Sequence, residues 1–247
     1  MQLLKLDYKV VLFVSASACL NSFAIAGEFQ SLLIGGTVAD PAAWEASPWI
    51  GNCSSTLIGD RVLLTAAHCV GNGSTKSFSI AGVQYAGRCT HHSNYATNST
   101  ADWALCHLTT AVEGILFEVI ATEEEVQCAP RKEFLWTGFG CRVWGGGRDG
   151  EFRVGTVNAV SCPRGTSHDI VTSGTVALCS GDSGGGGFME IGSLRRVVGV
   201  NSRSNTRDTS YVSNVYTNTF RSWAVSWANA KGLEICGIHE SAKNCAP

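Results

Sequence analysis

Charge is scarce in this 247-residue chain: only 15% of its residues are Asp, Glu, Lys or Arg, and the formal net charge is −2. Lys and Arg form no block anywhere, so neither the overall field nor a local basic stretch supports nucleic-acid binding. Low charge beside 45% hydrophobic residues also argues against a disordered chain. After the first 26 residues no run approaches ~20 continuous apolar residues, which argues against a membrane-spanning helix. Neither a CxxC nor an HxxxH pair occurs, so the usual zinc-ligand spacings are missing and neither metal nor cofactor is expected. No internal repeat or low-complexity segment stands out.

What is present begins with an export pattern. Lys5 and Lys9 precede an apolar stretch from Val10 to Ala26, which ends in Ala24-Ile25-Ala26 before Gly27. Residues 1–26 therefore read as a signal peptide, with the mature protein secreted to an extracellular or periplasmic space. Ser15, Ser17, Asn21 and Ser22 interrupt the run and argue against an anchor, and Ala16 sits poorly for a lipoprotein signal ending at Cys19. Of the 11 cysteines only Cys19 leaves with the signal, and the even remainder predicts disulfides in an oxidising compartment.

The length allows one large domain or two small ones with a sizeable core. Residues 27–32 form a short polar stub. From residue 33 to about 216, short apolar runs alternate with Gly, Ser, Asn and Thr, as in Arg61 to Thr65, Phe78 to Ile80, Glu151 to Val160 and Arg195 to Val200. That spacing predicts an all-β sandwich or barrel. Near the end Phe220, Trp223, Ala224, Trp227 and Ala228 recur at helical spacing, with Thr217 or Asn218 to cap and Gly232 to stop. One amphipathic helix of about 12 residues is predicted there, its tryptophans packed on the barrel.

Three stretches carry the parts that a serine nucleophile needs: a base, a group that orients the base, and donors for an oxyanion. Thr65-Ala66-Ala67-His68-Cys69 follows the buried-strand pattern Val62-Leu63-Leu64, and Cys53 and Cys69 can staple that strand to its neighbour. Ala101-Asp102-Trp103-Ala104-Leu105 places a carboxylate just before an apolar strand, where it can accept an imidazole N–H. In Cys179-Ser180-Gly181-Asp182-Ser183-Gly184-Gly185, the glycines permit tight curvature, so the amides of Gly181 and Ser183 can converge on one oxygen.

These three stretches, in this order, resemble the signature blocks of the chymotrypsin/trypsin family of serine peptidases. Leu33-Ile34-Gly35-Gly36 is similar to that family's mature N-terminus. Thr137-Gly138-Phe139-Gly140 resembles its glycine–aromatic–glycine strand, and Val215-Tyr216-Thr217 also fits, so the likeness covers roughly residues 33 to 235. The resemblance implies two six-stranded Greek-key β-barrels in one peptidase domain (33–247), with a C-terminal helix at about 219–231 and a tail between Cys236 and Cys245. It implies a monomer that acts on protein or peptide substrates in the cleft between the barrels. Ser183 would attack, His68 would move the proton, Asp102 would orient His68, and Gly181 and Ser183 would form the oxyanion hole. It also implies that an activating protease trims the stub and that the new amino group of Leu33 pairs with Asp182.

Departures from the family narrow these expectations. Gln30-Ser31-Leu32 gives a trypsin-like activator no Lys or Arg to recognise, so either another protease trims the stub or another cation holds Asp182. By the resemblance, Ala177 is the pocket floor, Ser202 and Ser204 belong to one wall and Asn214 to the other. An acidic floor is missing, and small or medium uncharged side chains are the expected preference, with polar or acidic ones as the rival. Cys53–Cys69 matches the family's histidine-loop bridge. Cys89–Cys106 and Cys236–Cys245 are suggested by proximity, while Cys179 has Cys141, Cys162 or no partner. The loop from Val70 to Ala101 lacks Asp and Glu and so disfavours a calcium site. His91-His92 is expected as a solvated pair. Gly181 to Gly185 also satisfies the G-x-S-x-G of α/β-hydrolases, but alternating βα units are missing before it. A catalytically silent binding protein of the same fold is the alternative from another class.

Overall fold

The computed structural model describes residues 33–143 and 145–247; the signal peptide expected at 1–26 and the stub expected at 27–32 lie outside them. The described residues fold as two β-sheet halves and a short C-terminal helix. Period-two burial fixes the faces of the strands. In β8 (Arg153–Ser161), Val157 and Ala159 point inward while Thr156 and Asn158 point to solvent.

The second half contains β7 (Glu133–Gly138), β8, β9 (Asp169–Ser173), β10 (Gly186–Ile191), β11 (Leu194–Ser204) and β12 (Thr209–Asn214). They pair in the order β8-β7-β10-β11-β12-β9, and β8 also pairs with β9, so six strands close into a barrel. The short β1 (Thr37–Val38) adds to the outside of β8. The first half is a curled five-stranded sheet in the order β2 (Thr56–Gly59), β3 (Val62–Thr65), β6 (Ala104–Leu108), β5 (Val83–His91) and β4 (Thr75–Ile80). Here the strand count differs from the expected six. Where a sixth strand of this half would run, just before β2, the chain makes an isolated bridge between Trp49 and Ser54. Pro48 has no N–H to donate, and Gly51 turns the backbone at φ +93°. The β4–β5 hairpin closes through Ala81 and Gly82, both at positive φ, a two-residue turn that matches the twist of its strands.

Each half has its own apolar core. Leu57, Leu63, Trp103 and Leu105 centre the first; Phe134, Trp136, Val157 and Val212 centre the second. α1 (Glu123–Val126) lies in the connection between the halves and starts with a capping box between Thr122 and Glu125. α2 (Asn218–Asn229) falls within a residue or two of its predicted bounds and crosses back to close the first core with Phe220, Ala224, Trp227 and Ala228. Thr217 precedes it without a side-chain cap, because its hydroxyl donates to Asn214 Oδ1 at 2.7 Å. Truncating the fully buried Phe220 to Ala would cost about 3–5 kcal/mol.

Five disulfides join the ten cysteines of the described residues: Cys53–Cys69, Cys89–Cys106, Cys128–Cys162, Cys141–Cys179 and Cys236–Cys245. Cys179, left open by the sequence, pairs with Cys141, and Cys162 is taken by Cys128. Cys89 and Cys106 face each other directly in the β5–β6 register. No helix among the described residues is long and apolar enough to cross a membrane.

Candidate active site

β3 runs fully buried into the turn Ala67–Cys69, and the Cys53–Cys69 bridge pins that turn to the chain entering β2. His68 is thereby fixed at the strand end with its ring at the surface. Asp102 lies just ahead of β6, which pairs with β3 from Val62 to Thr65, so sheet register carries the carboxylate to the imidazole. His68 Nδ1 lies 2.6 Å from Asp102 Oδ2, and the His68 backbone N–H donates to Oδ1 at 2.9 Å. Ser202, on β11 of the other half, donates its hydroxyl to Oδ2 at 2.7 Å. Asp102 is 2% exposed and has three donors, as a buried carboxylate requires. An Nδ1–H given to Asp102 leaves Nε2 as the basic nitrogen. Nε2 lies 3.8 Å from Cys69 Sγ, a sulfur already committed to its disulfide.

The loop between β9 and β10 carries Ser183. Gly181 has φ +106°, where a side chain is strained, and a Cβ there would also meet Arg148 Cδ at 2.8 Å and Gly140 Cα at 3.0 Å. Gly184, at φ +80°, packs so closely that a Cβ would run into Thr65 Oγ1 and the Ser54 carbonyl. The glycine run thus lets the second barrel's loop lie directly against the first half. Ser183 is half-buried, its hydroxyl makes no hydrogen bond to another described residue, and its carbonyl accepts from Ser54 N–H at 2.9 Å. The N–H groups of Gly181 and Ser183 have no acceptor among the described residues.

Asp182, between those two amides, is fully buried. Its carboxylate accepts from Gly140 N–H and Cys179 N–H, both at 2.8 Å. Burial pushes its pKa up to about 7, against the opposing pull of those two amides and of the Arg153 charge. No bond joins Asp182 to Leu33, the partner expected from the resemblance. Leu33 is fully buried in the second core, and its nitrogen is a peptide nitrogen in the intact chain.

A pocket of about 180 Å³ opens beside Ser183, lined with hydroxyls from Ser180, Ser202, Ser204 and Thr206 and edged by Arg203. Ser204 Oγ donates to the Leu178 carbonyl at 2.6 Å and accepts from Thr206 N–H at 3.0 Å, tying the two sides of the pocket together. Ser202 and Ser204 are among the residues that line it. Ala177 and Asn214 do not line this pocket. Ala177 is buried with its N–H on the Ile34 carbonyl at 2.8 Å, and Asn214 turns its amide to the His168 carbonyl at 2.8 Å. Arg203 is ion-paired with Asp169 and stacks over Tyr211, which leaves little of its charge for the pocket.

His92 corrects the expectation of a solvated histidine pair. It is 7% exposed, packed edge-on against Trp103 and Trp223, while His91 Nε2 bonds the Val70 carbonyl at 2.8 Å. Burial lowers the pKa of His92, and likewise of His168 on the other side of Trp103. Sequence reasoning also gave no role to Ser54, whose hydroxyl accepts from Phe139 N–H at 3.0 Å and donates to the Gly181 carbonyl at 2.8 Å. The only signal was its place beside Cys53, too common a neighbour to single out.

The family model for trypsin matches residues 33–225, more than half of the chain and the whole span that holds His68, Asp102 and Ser183. Together with a closed six-stranded barrel packed against a second curled sheet, that match settles the family. The chain belongs to the trypsin family of serine peptidases.

Proposed function

We propose that this protein is a secreted serine endopeptidase that hydrolyses peptide bonds through an acyl-enzyme on Ser183. The observation that carries the reading is the joint arrangement of His68 on a three-donor Asp102 and two unused amides, Gly181 and Ser183, flanking the serine. Ser183 Oγ forms a bond to the scissile carbonyl carbon while His68 Nε2 takes the hydroxyl proton. The resulting oxyanion is stabilised by the two amides, and collapse expels the amine, which leaves with the proton held by His68. Water then attacks the ester by the same route in reverse, releasing the acid and restoring Ser183. Asp102 stabilises the transient imidazolium without taking its proton.

Export is supported by the 1–26 leader pattern and by five disulfides in the folded chain. The preferred side chain before the scissile bond is small and uncharged. A Ser204 bond ties the two sides of the pocket of about 180 Å³, and no carboxylate lines it to pair with Lys or Arg. A fluorophosphonate probe should label Ser183, and a peptide-library profile should show Ala, Ser or Val before the cut. Failure to label the folded protein would turn the reading to a protease-like binding protein.

A further inference from the structure

Arg148 lies in the exposed segment between β7 and β8 and reaches over the loop that carries Ser183. Its Cδ stands within 2.8 Å of where a Gly181 Cβ would be, so its apolar stem packs on the residue that supplies one of the unused amides. The guanidinium carbon ends 3.7 Å from the centre of the Trp49 ring, and Trp49 meets Phe139 edge-on at 6.0 Å. A ring face attracts a cation without supplying the oxygen acceptors that a guanidinium can bind, so its N–H donors stay open. Arg148 makes no ion pair and no hydrogen bond with another described residue. Its chain neighbour Asp149 is committed to Arg153, which it meets through both carboxylate oxygens at 2.9 and 2.6 Å.

The cation stands on one particular side of the serine. In the proposed mechanism His68 Nε2 hands its proton to the departing amine, so the residues after the cut lie on the Nε2 side. Nε2 is 3.8 Å from Cys69 Sγ, and Cys69 is bridged to Cys53. Ser54, next in the chain, pairs with Trp49 in the isolated antiparallel bridge. The path from Nε2 through the disulfide therefore ends at the ring that carries Arg148. The pocket for the residue before the cut is lined by Ser180, Ser202 and Ser204, and by neither Trp49 nor Arg148.

We propose that Arg148, seated on Trp49, determines specificity for the amine half of the substrate and selects Asp or Glu at one of the first two positions after the scissile bond. The proposal rests on Ser183 being the nucleophile. A substrate carboxylate there accepts N–H bonds from the open guanidinium, whose fork geometry suits it, while a Lys or Arg is repelled. The pair stays exposed to water, so the expected preference is about fivefold and weakens with salt.

Internally quenched peptides test it, with Ala before the cut and Glu, Gln or Lys at the first or the second position after it, the cut site being read by mass spectrometry. At one of those positions kcat/KM should rank Glu over Gln over Lys, with about fivefold between Glu and Gln at low salt. Arg148→Gln should bring the Glu and Gln peptides to the same rate, and Arg148→Glu should put Lys ahead of Glu. A side chain that only straps its segment to Trp49 would, on substitution, slow all the peptides alike and leave their ratios in place. That result, or equal rates on the three peptides with the parent protein, would overturn the proposal, and fluorophosphonate labelling of Ser183 would leave the serine-peptidase reading standing. No labelling would overturn that reading and the proposal with it.

Discussion

Two buried carboxylates lie in the proposed site around Ser183 and are satisfied in different ways. Asp102 takes a backbone N–H, an imidazole and the Ser202 hydroxyl, drawing donors from both halves of the molecule. Asp182 takes two amides from its own half and lies in the field of Arg153. In the proposed mechanism the first aspartate faces a charge that comes and goes during turnover. The second is a structural anchor, with one amide on each carboxyl oxygen and burial favouring its neutral form. Like residues with like burial thus differ in function through what the neighbouring elements bring to them.

The largest effect should come from making both aspartates neutral and comparing them. Asp102→Asn should cost about 10⁴-fold in kcat, because the amide stabilises the wrong imidazole tautomer. Asp182→Asn should cost only about tenfold, read as initial rates on the same peptide. Equal losses would break the contrast. Next, the double change Cys141→Ser with Cys179→Ser should lower stability by about 2–4 kcal/mol, measured by urea unfolding, since it releases the loop that holds Asp182. Ser202→Ala removes one of the three donors on Asp102 and should lower kcat roughly tenfold, in keeping with a hydrogen bond to a charged group. Ser204→Gly breaks the tie across the pocket, and a peptide-library profile should widen from Ala and Ser toward Leu and Phe with kcat on the small residues little changed.

Stability should also vary with pH. The folded-state pKa of Asp182, about 7, stands above its unfolded value, so the folded chain binds the extra proton between about pH 4 and 7. Stability from this group therefore falls as pH rises through that window and is flat above it, with a slope of at most about 1.4 kcal/mol per pH unit. His92 and His168, whose values are lowered by burial, act with the opposite sign just below their ordinary range. The difference between parent and Asp182→Asn urea midpoints across pH 4–8 isolates the Asp182 contribution.

Much of the fold was legible because strands and helix here obey local rules. Arg61 to Thr65 and Arg195 to Val200 are short apolar runs between turn residues, and each contains or overlaps a real strand. Phe220, Trp223 and Trp227 mark a helix by spacing alone. The first half was less readable: nothing local to Trp49 to Ser54 says that a single bridge takes the place of a strand. The pocket was least readable. Ala177 and Asn214 were assigned by position in a family pattern, yet which wall a side chain faces depends on strand register and on partners such as His168, far away in sequence. His92 was misplaced for the same reason, since the two tryptophans that bury it come from β6's approach and from α2.

The sequence by itself determined the chemistry available: a serine among glycines, a histidine at a strand end, an aspartate before a strand, and enough cysteines for a cross-linked exported fold. Those are properties of short segments, carried by residue type and spacing. Only the tertiary structure decided which carboxylate meets the histidine, that Cys141 takes Cys179, and that Ser54 holds the Gly181 carbonyl while Asn201 holds the Asp182 carbonyl. Such choices are contacts between segments as much as 127 residues apart, as between Ser54 and Gly181, and no local pattern encodes them.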